Sequence, residues 1–198
     1  RVALARLLRP IQEPAQKHLP LLSVYRDLGV VLRGDRSDNF NRPPDDVGTY
    51  QRVHREDLVV NKMKAWSGSV AVSAHEGLVS PDYLVCRMEA RIIPWFLHHV
   101  LRSPRFVAEM RLRSRGIRPN QERLYWEDLA AIRVPLPALP LQLELAEELD
   151  VALGDFEGVR RPFLTAQDLL NEYKRSLITA AVTGVFDVSS ASGRGVPA

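Results

Sequence analysis

Val134-Pro135-Leu136-Pro137-Ala138-Leu139-Pro140 changes the texture of the chain and decides how it is organised. Prolines at every second or third position fix φ and remove backbone donors, so the stretch reads as a stiff, extended connector over residues 135–141. Beyond it the pattern is helical. Leu145, Leu149, Ala152, Phe156, Phe163, Ala166, Leu170, Tyr173 and Leu177 recur at steps of three, four or seven, one apolar stripe on a long helix or helical hairpin over 142–188. Pro162, with Gly154 and Gly158 before it, is expected to kink or break that helix. After Val188 the composition turns to Ser, Gly and Ala, which predicts a disordered tail over 189–198.

Before the connector the pattern is mixed. Residues 1–20, with Pro10, Pro14 and Pro20, read as irregular. Strands are predicted at Leu21–Tyr25, Gly29–Arg33, Asp57–Asn61, Ser69–Ser73 and Leu78–Met88, the last interrupted by Pro81. Residues 34–48 form a polar loop. Helices are predicted over Trp95–Leu101, beginning near Pro94, and over Arg105–Leu112, with a short helix or turn at Trp126–Ile132. The fold class is therefore α+β: a globular domain over 1–134 with a small mixed or antiparallel sheet and short helices, then a long helical, coiled-coil arm.

The formal charge of +3 says little, but its distribution says more. Arg102–Arg123 holds seven arginines against Glu109 and Glu122, whereas Glu144–Glu157 holds six acids and no base. A basic block beside an acidic one predicts two surfaces with different partners. A lone cysteine, Cys86, excludes an internal disulfide and leaves nothing that points to secretion, so a cytoplasmic setting is expected. No apolar run is long enough to span a membrane. The chain opens on Arg1, which reads as a fragment or a truncated reading frame.

Two stretches have the chemistry to meet nucleic acid. In Asn61-Lys62-Met63-Lys64-Ala65-Trp66-Ser67-Gly68, Lys62 and Lys64 can neutralise phosphates, Asn61 can bond a base edge and Trp66 can stack or wedge. On an extended loop the two lysines would point the same way. The same stretch also reads as a loop of solvated lysines with a core Trp. In Ser114–Gln121, preceded by Arg111 and Arg113, the forked side chains of Arg113, Arg115, Arg118, Asn120 and Gln121 are the types that pair with guanine and adenine, and Gly116 and Pro119 would hold them in a fixed loop. A plain basic surface loop has the same composition. A third stretch, with Arg33 and Arg36, contains acids that weaken the argument.

Other motifs carry less. Ser80-Pro81-Asp82-Tyr83 is close to the tetrapeptide that amino-methyltransferases place after a strand, but its third position is Asp82 and no Gly-rich donor loop accompanies it, so it reads as a bend in a strand. His18, His54, His75, His98 and His99 are not at metal-ligand spacing. Cys86 reads as a small buried side chain. No nucleophile elbow or phosphate loop is present in the sequence, and no cofactor or metal is expected.

The order of these pieces resembles the specificity subunits of type I restriction-modification systems. The matching segments are Gly29-Val30-Val31-Leu32-Arg33; Tyr50, Val53, Asp57-Leu58-Val59, Asn61-Lys62-Met63, Trp66 and Gly68; Gly77-Leu78-Val79-Ser80-Pro81-Asp82-Tyr83-Leu84-Val85; Ser114-Arg115-Gly116 with Leu124, Leu129 and Ile132, then Val134–Leu139; and Leu170–Gly184 at the end of the arm. Together they span about residues 21–188, and their order is more specific than any one of them. The resemblance implies a target-recognition domain that reads one half of a bipartite site on double-stranded DNA. It implies an arm whose Leu170, Tyr173 and Leu177 pack against another helix. It also implies methyltransferase subunits as partners, a restriction subunit through them, a second specificity half or a second copy, and no catalysis by this chain.

Two departures fall in the arm. Leu141 stands where the family carries Glu, and Pro162 interrupts a helix that is normally continuous. A complete family member has two recognition domains, so this chain is expected to be a C-terminal half, a half-length subunit that pairs, or a degenerate copy acting only in dimerisation. A stand-alone adenine methyltransferase built on Ser80–Tyr83 is the competing expectation.

Overall fold

Leu58-Val59-Val60 is buried on both of its faces, and that is the key to the architecture. In the computed structural model, which describes residues 1–35, 47–116 and 122–185, these residues lie in an inner strand of a four-stranded antiparallel sheet. The strands in chain order are β1 (Val2–Ala3), β2 (Leu8–Ile11), β3 (Leu22–Tyr25), β4 (Gly29–Leu32), β5 (Gln51–Val53), β6 (Leu58–Asn61), β7 (Val70–Val72), β8 (Gly77–Val79), β9 (Tyr83–Met88) and β10 (Arg133–Val134). The helices are α1 (Pro94–Arg102), α2 (Pro104–Arg113), α3 (Trp126–Ala130) and α4 (Leu139–Val182). The central sheet runs β2-β9-β6-β7, and β3-β4, β5-β8 and β1-β10 pair separately.

Side chains of a strand alternate between faces. Leu58, Val60, Val70, Val72 and Cys86 accordingly enter one core with Phe96, Leu97 and Leu101 of α1 and Phe106 and Met110 of α2. Val59, Ala71 and Val85 enter a second core with Leu22, Val24 and Val30 of the β3-β4 hairpin and with Val53 and Val79. Helices, with the β1-β10 pair, cover one face of the sheet, and the β3-β4 and β5-β8 pairs cover the other. This is the α+β class expected from the sequence. The proline-led helices also form where predicted, since Pro94 and Pro104 occupy first-turn positions where a missing N–H is harmless.

The N-terminal segment departs from the sequence reading. Leu4 and Leu7 are fully buried and Leu8–Ile11 is a strand, not irregular chain. Pro10 is tolerated there because β2 is an edge of its sheet, where a missing donor costs no ladder bond. The run 78–88 becomes two strands, β8 and β9, joined by a turn at Pro81-Asp82 in which Tyr83 N–H donates to Ser80 O at 3.1 Å.

The arm also departs. α4 begins at Leu139, so 139–141 are helical and Pro140 lies in the first turn. It then runs on through Pro162 without ending. One lost donor and one ring clash cost about 3 kcal/mol, and helix continues into the Leu- and Ala-containing sequence that follows. The chain divides into two units, Arg1–Glu148 and Leu149–Ala198. The first turns of α4 belong to the first unit. There Ala146 joins the helix-side core, and Gln142 is fully buried. In the second unit Leu170, Tyr173 and Leu177 are 68%, 63% and 38% exposed, so the chain by itself leaves this stripe open. Among the described residues, no helix is long and apolar enough to cross a membrane.

Candidate nucleic-acid interface

β6 ends at Asn61, which pairs with Tyr83 of β9, and the chain then turns sharply. The Asn61 side-chain oxygen accepts the Met63 N–H at 3.0 Å, and Lys64 N–H returns to Asn61 O at 3.0 Å. Ala65–Ser67 closes a 3-10 turn, and Gly68 exits it at φ +98°, a left-handed conformation that favours glycine. The Trp66 indole N–H donates to Met63 O at 3.0 Å. Lys62 is stitched at its backbone to both neighbours: its N–H donates to Asp82 O at 3.0 Å and its carbonyl accepts from Leu124 at 2.9 Å. The stretch is a fixed turn and not an extended loop, so alternation no longer aligns Lys62 with Lys64. Local side-chain bonds of Asn to its own backbone outcompete extension here. Trp66 is half-buried with its N–H satisfied, and it walls a cleft instead of projecting from one.

Tyr83 lies beneath this turn. Burial pushes its phenol above the ordinary range, while hydrogen bonds from the Val24 backbone and the Asn61 and Ser23 side chains oppose the shift. The Asn61 amide is thus engaged on both sides.

Around the turn, three openings join. The largest, about 820 Å³, is lined by Tyr25, Arg33, Tyr50, Asn61, Lys64 and Tyr83, among others. It shares Arg26 and Ser67 with a second of about 380 Å³. The second shares Trp66 and Arg111 with a third of about 680 Å³, which reaches Arg115 and Gly116. The three openings are neighbours that share wall residues, and together they form the groove beside the 61–68 turn. Its walls carry Arg26, Arg33, Lys64, Arg102, Arg111 and Arg115 against Asp27, Asp82 and Glu122. Of the residues expected from sequence, Arg33, Asn61, Lys64, Trp66 and Arg115 come together here. Arg36, Arg118, Asn120 and Gln121 lie outside the described residues.

The cations are not equivalent. Arg113 gives Nε and Nη2 to Glu109 Oε1 at 2.9 and 2.8 Å. Arg115 gives Nη2 to Asp128 on the first turn of α3, and its backbone forms a two-bond bridge with Arg123. Arg26, Lys64 and Arg111 have no carboxylate partner among the described residues. Arg102 is committed differently: Nη1 donates to Val70 O at 3.2 Å, and Nη2 to Arg26 O and Asp27 O at 2.8 and 3.1 Å. Burial pulls its guanidinium below the ordinary value and Asp27 partly offsets this. Sequence reading missed Arg26, Tyr25 and Tyr50. The Tyr25–Gly29 hairpin was legible, but its contact with the 61–68 turn was not.

Elsewhere the reactive side chains are quiet. Burial lifts the Cys86 thiol to about 12, so it stays protonated. Burial, with Arg102 and His99 nearby, lowers His98 to about 3, and its Nδ1 accepts the Val72 N–H at 3.2 Å. Ser80–Tyr83 is the turn that carries the chain from β8 to β9, and the carbonyls of Ser80 and Tyr83 accept from Gln51 Nε2. Among the described residues, no cluster of three His, Cys, Asp or Glu is arranged to hold a metal.

No family model matches the chain. It is 26% identical over 155 residues to the type I restriction enzyme EcoKI specificity subunit of Escherichia coli strain K12, covering 76% of this chain and 33% of that protein. It is 25% identical over 155 residues, with the same coverage, to the type I restriction enzyme StySPI specificity subunit of Salmonella potsdam. The chain therefore spans about a third of the length of these curated relatives. In structure it matches a chain from a solved type I restriction-modification assembly with a TM-score of 0.57 at 15% identity, covering 91% of this chain and 44% of that one. The sequence similarity is to specificity subunits, as the motif order indicates.

Proposed function

We propose that this chain, related in sequence and fold to type I specificity subunits, reads one half of a bipartite target on duplex DNA and leaves methyl transfer and cleavage to partner chains. The observation that carries the reading is the row of openings around Asn61–Gly68, where Arg26, Lys64 and Arg111 stand without carboxylate partners among the described residues, beside Tyr25, Tyr50 and Trp66. Free cations along a groove release counterions from DNA, and polar and aromatic groups between them meet bases. The arm, with its open stripe at Leu170, Tyr173 and Leu177, packs against a second arm, which sets the distance between half-sites, and offers a surface to methyltransferase subunits. Domains follow this division of labour: 1–134 for recognition, the proline stretch as the joint, and the helix beyond for assembly.

The test is selection from a random duplex pool by the chain alone and by the chain mixed with a type I methyltransferase subunit, followed by gel shifts at moderate salt. Enrichment of one half-site motif is expected. Equal binding to every duplex contradicts the proposal.

A further inference from the structure

Arg26 sits at the tip of the β3-β4 hairpin, where the first two openings of the groove meet. Its side chain is exposed, yet its stem is placed by packing: a Cβ built on Gly68 would come within 3.4 Å of Arg26 Cγ and 3.3 Å of Val107 Cγ2. The tip thus rests against the 61–68 turn at Gly68 and faces α2 across the second opening.

The hairpin tip is held from below. Arg102, at the end of α1, places its guanidinium against the carbonyls of Tyr25, Arg26 and Asp27 and against Val70 of β7. Three consecutive turn carbonyls on one planar donor fix the path of the turn more tightly than a single bond would. Gly29 closes the arrangement at φ +75°, where a Cβ would come within 3.3 Å of Ala71 Cβ and 3.6 Å of both Arg102 Nη1 and His98 Cε1. A half-buried arginine whose donors are spent on the turn and on Val70 of β7 carries a desolvation cost, and the turn it holds presents to the groove a cation with no carboxylate partner among the described residues.

Building on the DNA-reading proposal, we infer that Arg26 grips a phosphate of the bound duplex and that Arg102 is the positioning residue that holds Arg26 at the junction of the groove. The two act in series. Arg102 touches no DNA, and its effect on binding passes through the tip that it holds.

The test uses the full chain and a fluorescein-labelled duplex of about 30 base pairs of random sequence, titrated across a salt series. Losing one phosphate contact lowers the slope of log affinity against log salt by about 0.9. Arg26→Ala should show that change, with an affinity loss of roughly three- to tenfold at low salt. Arg102→Met should show the same slope loss, and the double variant should be no worse than either single one. Arg102→Lys, which keeps a cation and several donors, should recover part of the slope and serves if Arg102→Met fails to fold. Wild-type binding with an unaltered slope in Arg26→Ala overturns the inference and leaves the DNA-reading proposal standing. Additive losses in the double variant, or in Arg26→Ala combined with Arg102→Lys, overturn the role of Arg102. A wild-type chain without salt-dependent duplex affinity overturns both proposals.

Discussion

The side-chain oxygen of Gln142 accepts the backbone N–H of Ile93 at 2.8 Å, joining the first turn of α4 to the start of α1. The amide nitrogen of Gln142 donates to Pro137 O at 2.8 Å and Arg91 O at 3.2 Å. A fully buried amide with every group engaged satisfies three backbone groups at once. Gln142→Leu keeps most of the volume and strands those groups. It should lower unfolding free energy by roughly 2–4 kcal/mol in urea titrations. A change within about 0.5 kcal/mol would show that packing, not hydrogen bonding, holds the start of α4.

Arg115 can offer Nη2 to a DNA base only by leaving Asp128. Its side chain is 72% exposed, so that ion pair contributes at most about 1 kcal/mol and does not prevent the exchange. Arg115→Ala should cost about 1–3 kcal/mol on the selected half-site and much less on random duplex, with incomplete rescue by Lys. Equal losses on both duplexes would assign Arg115 to phosphates, and sequence reading to another part of the groove.

Beside the start of β6, His54 Nε2 meets Glu13 Oε2 at 2.7 Å, and Arg87 meets Glu13 at 3.1 Å and Asp57 at 3.3 Å. The hydrogen bond from His54, then Arg87, holds Glu13 below the ordinary carboxylate value of 4.5, and Arg52 does the same for Glu76. A carboxylate with a depressed folded-state pKa contributes stability that is fully present above its unfolded value and is lost as pH falls through the folded one. From its plateau near neutral pH the urea midpoint should decline as pH falls through 6.5, where an unfolded His98 protonates and the buried one, held to about 3, does not, and decline more steeply below 4.5 as Glu13 and Glu76 add their loss. Glu13→Gln should lower the plateau and shrink the decline. An identical acid profile in the variant would remove Glu13 from the account.

Leu177 is 38% exposed in the single chain, so Leu177→Ala should cost a monomer less than the 2–5 kcal/mol of a fully packed leucine. Its larger effect should fall on association. Sedimentation of the wild type should show a concentration-dependent dimer, and Leu177→Ala and Leu170→Ala should each shift the equilibrium toward monomer. A wild type that stays monomeric with its arm helical would contradict an arm-to-arm contact.

Short-range pattern was enough, in the sequence alone, for much of this molecule. The prolines at 94 and 104 mark the starts of α1 and α2, the valines of 58–60 and 70–72 make strands, and the ordered segments from Gly29 to Gly184 carry the family resemblance. These rest on local periodicity and on φ restrictions that act within a few residues. Tertiary structure alone decided which cations are available. Arg113 finds Glu109 one helical turn away, but Arg115 finds Asp128 only because the Arg115–Arg123 bridge brings α3 back beside it. Arg26 becomes part of the groove because Arg102, seventy-six positions later in the chain, holds its turn against the 61–68 loop. Partner choice of this kind depends on distances that folding creates, and a side chain's type does not record which carbonyl or carboxylate will stand opposite it.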